Sequence, residues 1–135
     1  MTRTALGEDR GQVTAFVVII ALALILLFAL VAEGGAALST RSRALSLAQE
    51  AARAGAQQLD LAAYRAGKTA TLNAPAAEQA AQAFLRRSGA DGQARVDGAT
   101  VTVTARLDHT FTLLPLGTRP MAATATAGPN TTADP

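Results

Sequence analysis

The chain has 135 residues, a net charge of +2 and no cysteine. That length leaves room for one small domain besides a membrane segment. The missing cysteines exclude disulfides, thiolate catalysis and cysteine-held metals. The near-neutral balance, with no tract of Lys and Arg, excludes a surface that tracks phosphates, so no nucleic-acid partner is expected. Half of the residues are apolar, yet there are only four Phe, one Tyr and no Trp. The apolar content is therefore one continuous run plus alanine, and the chain cannot build a large aromatic core.

Residues 1–12, MTRTALGEDRGQ, form a short polar leader expected to be unstructured. Residues 13–32, VTAFVVIIALALILLFALVA, carry no charge. At about 1.5 Å per residue, a helix of that length spans roughly 30 Å, the hydrocarbon thickness of a bilayer. Lipid offers nothing to satisfy backbone polar groups, so the run is predicted to be a transmembrane helix. A core helix of a soluble protein would show a polar stripe. A cleaved secretory signal would have a shorter apolar run. Arg3 and Arg10 on one side nearly balance Arg41 and Arg43 on the other, so flanking charge does not orient the segment.

Glu33, Gly34 and Gly35 mark the exit of that run. Each Gly costs a helix interior about 1 kcal/mol relative to Ala, and a kink is expected there. Residues 33–66 are rich in helix formers and read as an extension of the same helix, about 75 Å in all if it runs to residue 63. Leu38, Leu45, Ala52 and Leu59 recur every seven residues, with Ala48, Gly55 and Ala62 beside them. This stripe of Leu and small residues permits close approach, either of the chain's own domain or of other chains.

Residues 67–73 break the helix, and Asn73 with Pro75 signals the start of a second one. Its apolar face is Ala77, Ala80, Ala81, Phe84 and Leu85, and it ends near Ser88-Gly89. Strands follow. Residues 94–97 join the next strand through Asp97-Gly98, a hairpin signal. From Thr100, alternation puts Val101, Val103, Ala105, Leu107, His109, Phe111 and Leu113 on one face. Fourteen residues is long for one strand, so a bulge or bend is expected near Asp108-His109. Pro115-Leu116-Gly117 turns the chain, residues 120–127 read as a last strand, and residues 128–135 as a disordered tail. The expected fold is α+β: a single transmembrane helix extended into a long helix, then a small domain over residues 67–127 with a short helix and a three-stranded antiparallel sheet.

Motifs of chemistry are scarce. Gly67-Lys68-Thr69 lacks the preceding glycine and strand of a phosphate loop. His109 is the only histidine and is expected on the sheet's apolar face with its ring hydrogen-bonded, not as a zinc ligand. Asp91, Asp97 and Asp108 are scattered through turns and a strand edge. Asn130-Thr131-Thr132 matches a glycosylation sequon in the Thr-rich tail. No enzyme activity, cofactor or metal is expected. Glu33, a lone carboxylate at the membrane boundary, is the one residue that invites a role.

In the order of its motifs the chain resembles a TadE/TadG-like protein, the pilin-like class associated with tight-adherence pili. Arg10-Gly11 ends a short leader directly before the apolar run, and the helix leaves the run through Val31-Ala32-Glu33-Gly34-Gly35. The Ala-rich SLAQEAARAGAQQLD continues it, and the last strand closes in Ala123-Thr124-Ala125-Thr126-Ala127. The resemblance implies a non-enzymatic, single-pass protein of the cytoplasmic membrane, with its N-terminus in the cytoplasm and its C-terminal domain outside. Implied partners are the lipid bilayer, other pilin-like subunits or the pilus assembly platform, and a prepilin peptidase cutting between Gly11 and Gln12. Pilins of this class carry Glu at the fifth position after the processing Gly; here that position is Phe16. The implied role is a minor pilin-like or assembly component, acting by helix packing in the membrane. The alternative is a membrane-anchored envelope or sensory domain unrelated to a filament.

Overall fold

One helix, α1 (Glu8–Ala56), takes up 49 residues of the chain in the computed structural model, which describes residues 8–68 and 71–129. The other elements are α2 (Leu61–Arg65), α3 (Ala74–Arg87), β1 (Asp91–Asp97), β2 (Thr100–Thr110) and β3 (Thr118–Ala127). The strands form one antiparallel meander, β1-β2-β3, so the fold is α+β.

α1 divides into two halves by what surrounds it. Over residues 13–31 its large side chains face outward: Ile20, the least exposed of them, is 44 % open and Phe28 is 80 % open. This half contains the one stretch among the described residues that is long and apolar enough to cross a membrane. From residue 33 the helix carries the rest of the fold. Its inward residues are Glu33, Ala44, Ala48, Ala51, Ala52, Gly55 and Ala56, with Ala37 and Thr40 half-buried between them. They recur at three- and four-residue steps, the period of one face of an α-helix. Small side chains let the sheet approach the helix axis. A Cβ on Gly55 would lie 2.9 Å from the Ala77 carbonyl oxygen and 3.0 Å from Val101 Cγ1, so that crossing accepts nothing larger than hydrogen.

Most of the remaining core comes from one face of each partner element, Ala77, Ala81 and Leu85 of α3 and Val101, Val103 and Ala105 of β2, with Leu72 and Ala90 added from the connecting segments. The Asn73 side chain caps α3 by accepting from the Ala76 amide at 3.2 Å, and Pro75 sits in the first turn, where its missing N–H costs nothing. The hairpin between β1 and β2 turns through Gly98 and Ala99. Gly98 has φ +58°, and among the described residues none other than glycine has positive φ, so Ala99 does not, the pattern of a turn with glycine first. The outer sheet face is laced by threonine pairs, among them Thr104–Thr124 and Thr110–Thr118 at 2.9 Å.

Four features differ from the reading of the sequence. The helix is already formed at Glu8, so part of the leader is helical; residues 1–7 lie outside the described residues. Gly34 and Gly35 lie inside a helix that continues through both of them: a cost of about 1 kcal/mol per glycine is small beside the packing of the helix from Glu33 onward. α1 instead ends at Ala56. There a short bridge pairs Leu59 with Leu72, the Asp60 amide donates to the Thr71 carbonyl at 2.8 Å, and the Asn73 amide donates to the Gln58 carbonyl at 2.9 Å. Asp60 then caps the separate α2. Finally, β2 has no bulge at Asp108-His109: its pairing with β3 runs in constant register from Val101↔Ala127 to Thr110↔Thr118. The strand stops at Thr110 because the next residues are drawn to α1. The expected sequon and most of the tail lie beyond residue 129, outside the described residues.

Candidate functional site at the end of the apolar run

β2 runs antiparallel to the second half of α1. Val101 lies against Gly55, His109 against Thr40, and the loop after β2 against Glu33. The lengths match: 22 helical residues from Glu33 to Gly55 rise about 33 Å, and 11 extended residues from Val101 to Thr112 span about 36 Å. The hairpin therefore lies along the helix, and its loop, residues 111–117, arrives where the apolar run ends.

Glu33 is 6 % exposed, the buried ionisable side chain of the described residues. Its Oε1 accepts from the backbone amides of Thr112 and Leu113 and from Thr112 Oγ1 at 3.1 Å. Its Oε2 accepts from the Leu114 amide at 2.9 Å. Three successive amides thus converge on one carboxylate, as in the backbone concavities that bind anions. Removal from water pushes the Glu33 carboxyl up; the hydrogen bonds from Leu113, Leu114 and Thr112 outweigh that and hold it below its ordinary value. The charged form is the one the loop recognises. A carboxylate so fully engaged is not free to take a proton from a substrate or to bind a metal. The arrangement is a clasp that ties the sheet to the helix.

A second contact supports it two turns further along. Thr40 Oγ1 and His109 Nδ1 are 3.1 Å apart, and the His109 ring meets Phe111 edge-on at 4.8 Å between centroids. His109 is thus hydrogen-bonded on the inner face of the sheet, as expected. Among the described residues no group of His, Asp and Glu could hold a metal ion.

The residues singled out in the sequence fall into three groups. Glu33 is in the clasp, while its neighbours Gly34 and Gly35 face open space: a Cβ on either would meet nothing within 4 Å. Gly11 and Gln12 lie exposed within α1. Of the heptad stripe, Ala52 is fully buried in the core, whereas Leu38, Leu45 and Leu59 are 67 %, 40 % and 37 % exposed, and Leu59 lies beyond the end of the helix. The intramolecular seam is the alanine row. Leu38 and Leu45 each follow a residue of that row, Ala37 and Ala44, and so lie about 100° further round the helix. Thr112, Leu113 and Leu114 were not singled out as partners of Glu33. The signal was an apolar loop, FTLLPLG, where a hairpin turn is ordinarily polar.

Residues 11–58 match the family model described as putative Flp pilus-assembly TadE/G-like. Over these residues the chain is similar to the TadE/G-like family. The matched span is α1 from Gly11 onward and two residues more, so it contains Glu33 and the alanine seam and none of the sheet. No curated protein and no solved structure matches the chain. The TadE-like segment is thus the membrane-length helix and the face on which this chain's own sheet is mounted.

Proposed function

We propose that this TadE-like protein is a minor pilin-like or assembly component of a Flp-type pilus, without enzymatic activity. The observation that carries the reading is the division of α1: the segment that matches a pilus-assembly family has an apolar half left uncovered by its own chain and a second half that holds a small domain. An uncovered apolar helix can lie in lipid or pack among other helices. The leader faces the cytoplasm, the sheet lies outside the cytoplasmic membrane, and a prepilin peptidase cuts between Gly11 and Gln12. Phe16 offers no carboxylate to a neighbouring subunit's amine inside a helical bundle, where an unpaired charge is costly. The protein therefore works in the membrane, at a filament tip or in the assembly complex, and is rare in a filament shaft. Leu38 and Leu45, exposed just beyond the apolar run, are the side chains placed to meet those partners.

Photo-crosslinking in piliated cells tests this. A crosslinker at Leu38 or Leu45 is expected to trap other pilus subunits or the assembly platform, and one at buried Ala48 to trap none. Intact mass is expected to show loss of residues 1–11, and Gly11→Leu to retain them. No pilus component among the crosslinks, or abundance in sheared filaments equal to a major subunit, contradicts the role. An uncut N-terminus contradicts the processing.

A further inference from the structure

We infer that the loop joining β2 to β3 is itself a membrane-contacting element, seated in the outer lipid interface beside the helix. The inference rests on the reading that residues 13–32 cross a bilayer, and goes beyond it by giving the domain a second lipid contact. Three observations carry it. The first is position: Glu33 is the first residue after the apolar run, and the loop is hydrogen-bonded to it, so the loop stands at the hydrocarbon boundary wherever the run spans the membrane.

The second is chemistry. The loop presents Leu113 at 62 % and Leu116 at 47 % exposure, with Pro115 exposed between them. Apolar side chains at a hairpin tip gain nothing in water, and at a bilayer interface each buried CH₂ contributes about 0.8 kcal/mol.

The third is the backbone. Every amide from Phe111 to Leu116 is satisfied inside the chain or absent. Phe111 donates to the Gly117 carbonyl at 3.0 Å; Thr112, Leu113 and Leu114 donate to Glu33; Pro115 has no N–H; Leu116 donates to the Leu114 carbonyl at 2.8 Å. A water-exposed loop has no need of this, whereas a loop entering lipid cannot leave donors unpaired. The Glu33 clasp is then what lets the loop leave bulk water for the interface: it satisfies three amide donors with one side chain. Arg41 and Arg43 on α1 lie about 12 and 15 Å along the axis from Glu33. Arg119 is exposed on β3 opposite His109. These cations stand above the loop on the headgroup side, within about one Debye length of lipid phosphates.

The chain has no Trp, so single tryptophans report cleanly. Leu113→Trp, Leu116→Trp, Leu22→Trp and Thr104→Trp are each made in the full chain and reconstituted into vesicles of phosphatidylcholine with phosphatidylglycerol. Lipids brominated near the glycerol end or near the chain terminus serve as depth-dependent quenchers. The Leu113 and Leu116 sites are exposed, so the substitutions leave the core intact. Expected are blue-shifted emission and quenching by the shallow bromines at both loop positions, quenching by the deep bromines at Leu22→Trp, and quenching only by aqueous acrylamide at Thr104→Trp. Loop tryptophans as open to acrylamide as Thr104→Trp, with Leu22→Trp still quenched by lipid, would overturn the loop contact and leave the spanning helix standing. Loop tryptophans shielded from both acrylamide and lipid would also overturn it, since a protein would then cover the loop. An unquenched Leu22→Trp would overturn the spanning helix and the loop contact together.

Discussion

The two halves of α1 are one continuous helix with opposite demands on their side chains. Residues 13–32 are covered by large Val, Ile, Leu and Phe on all sides and touch little of the chain. Residues 33–56 fully bury only alanine, glycine and a carboxylate, with Thr40 and Leu47 among the half-buried side chains. A helix that meets lipid needs bulk and apolarity all round and no particular periodicity. A helix that meets a sheet at close range needs a narrow row of small residues, because packing there is limited by backbone approach and not by apolar area. Apolar content alone thus misidentifies the working face: the exposed Leu38 and Leu45 are more hydrophobic than the Ala48 that forms the core.

That contrast can be broken most strongly by truncating large side chains on each side of it. Leu85→Ala, on α3 against the seam, is expected to destabilise the domain by about 2–5 kcal/mol, whereas Leu24→Ala leaves its unfolding midpoint unchanged; urea titration of the full protein in detergent micelles reads both. Equal effects would mean the two halves fold as one unit. Enlarging the seam comes next. Ala48→Leu is expected to cost about 1–3 kcal/mol by overpacking, while Leu45→Ala, at a half-open site, costs less than about 1 kcal/mol. A reversed order would make the leucine stripe the intramolecular seam. The smallest effect is at the exit glycines. Gly34→Ala and Gly35→Ala meet no atom of the chain, so each is expected to raise stability by about 0.4–1 kcal/mol. If these stable variants nevertheless lose the crosslinks from Leu38, the glycines serve a neighbouring helix.

How much of this was legible depended on whether a feature is local. The membrane-length helix is written in twenty uncharged residues, and β2 in the alternation of Val101, Val103 and Ala105 with Thr102 and Thr104. The start of α3 is written in Asn73 and Pro75. Each of these follows from neighbours in sequence. The helix end at Ala56 was not legible, because it is set by pairing of residues 58–60 with 71–73 and Gln57-Gln58 carries no breaker. The clasp was half legible. Glu33 stood out as a charge at the edge of an apolar run, but its partners are 79–81 residues away and act through backbone amides, which any residue but proline supplies. The pattern that placed Phe111 and Leu113 in a continuing strand also concealed that the strand is given up there to reach the helix.

Amide hydrogen exchange at Thr112, Leu113 and Leu114, measured by NMR on the full protein in micelles, tests the clasp directly. Near neutral pH these three amides are expected to be protected in the native chain. In Glu33→Ala they lose protection, while that of Val103 in the sheet core is retained. The carboxyl is held below its ordinary value of 4.5 in the fold. Its contribution is therefore complete above that value and is lost as pH falls through the lowered one. Protection of the three amides, corrected for intrinsic exchange, is expected to fall over that acid range. Unchanged protection of Thr112, Leu113 and Leu114 in Glu33→Ala would contradict the clasp, and with it the seating of the sheet at the membrane boundary.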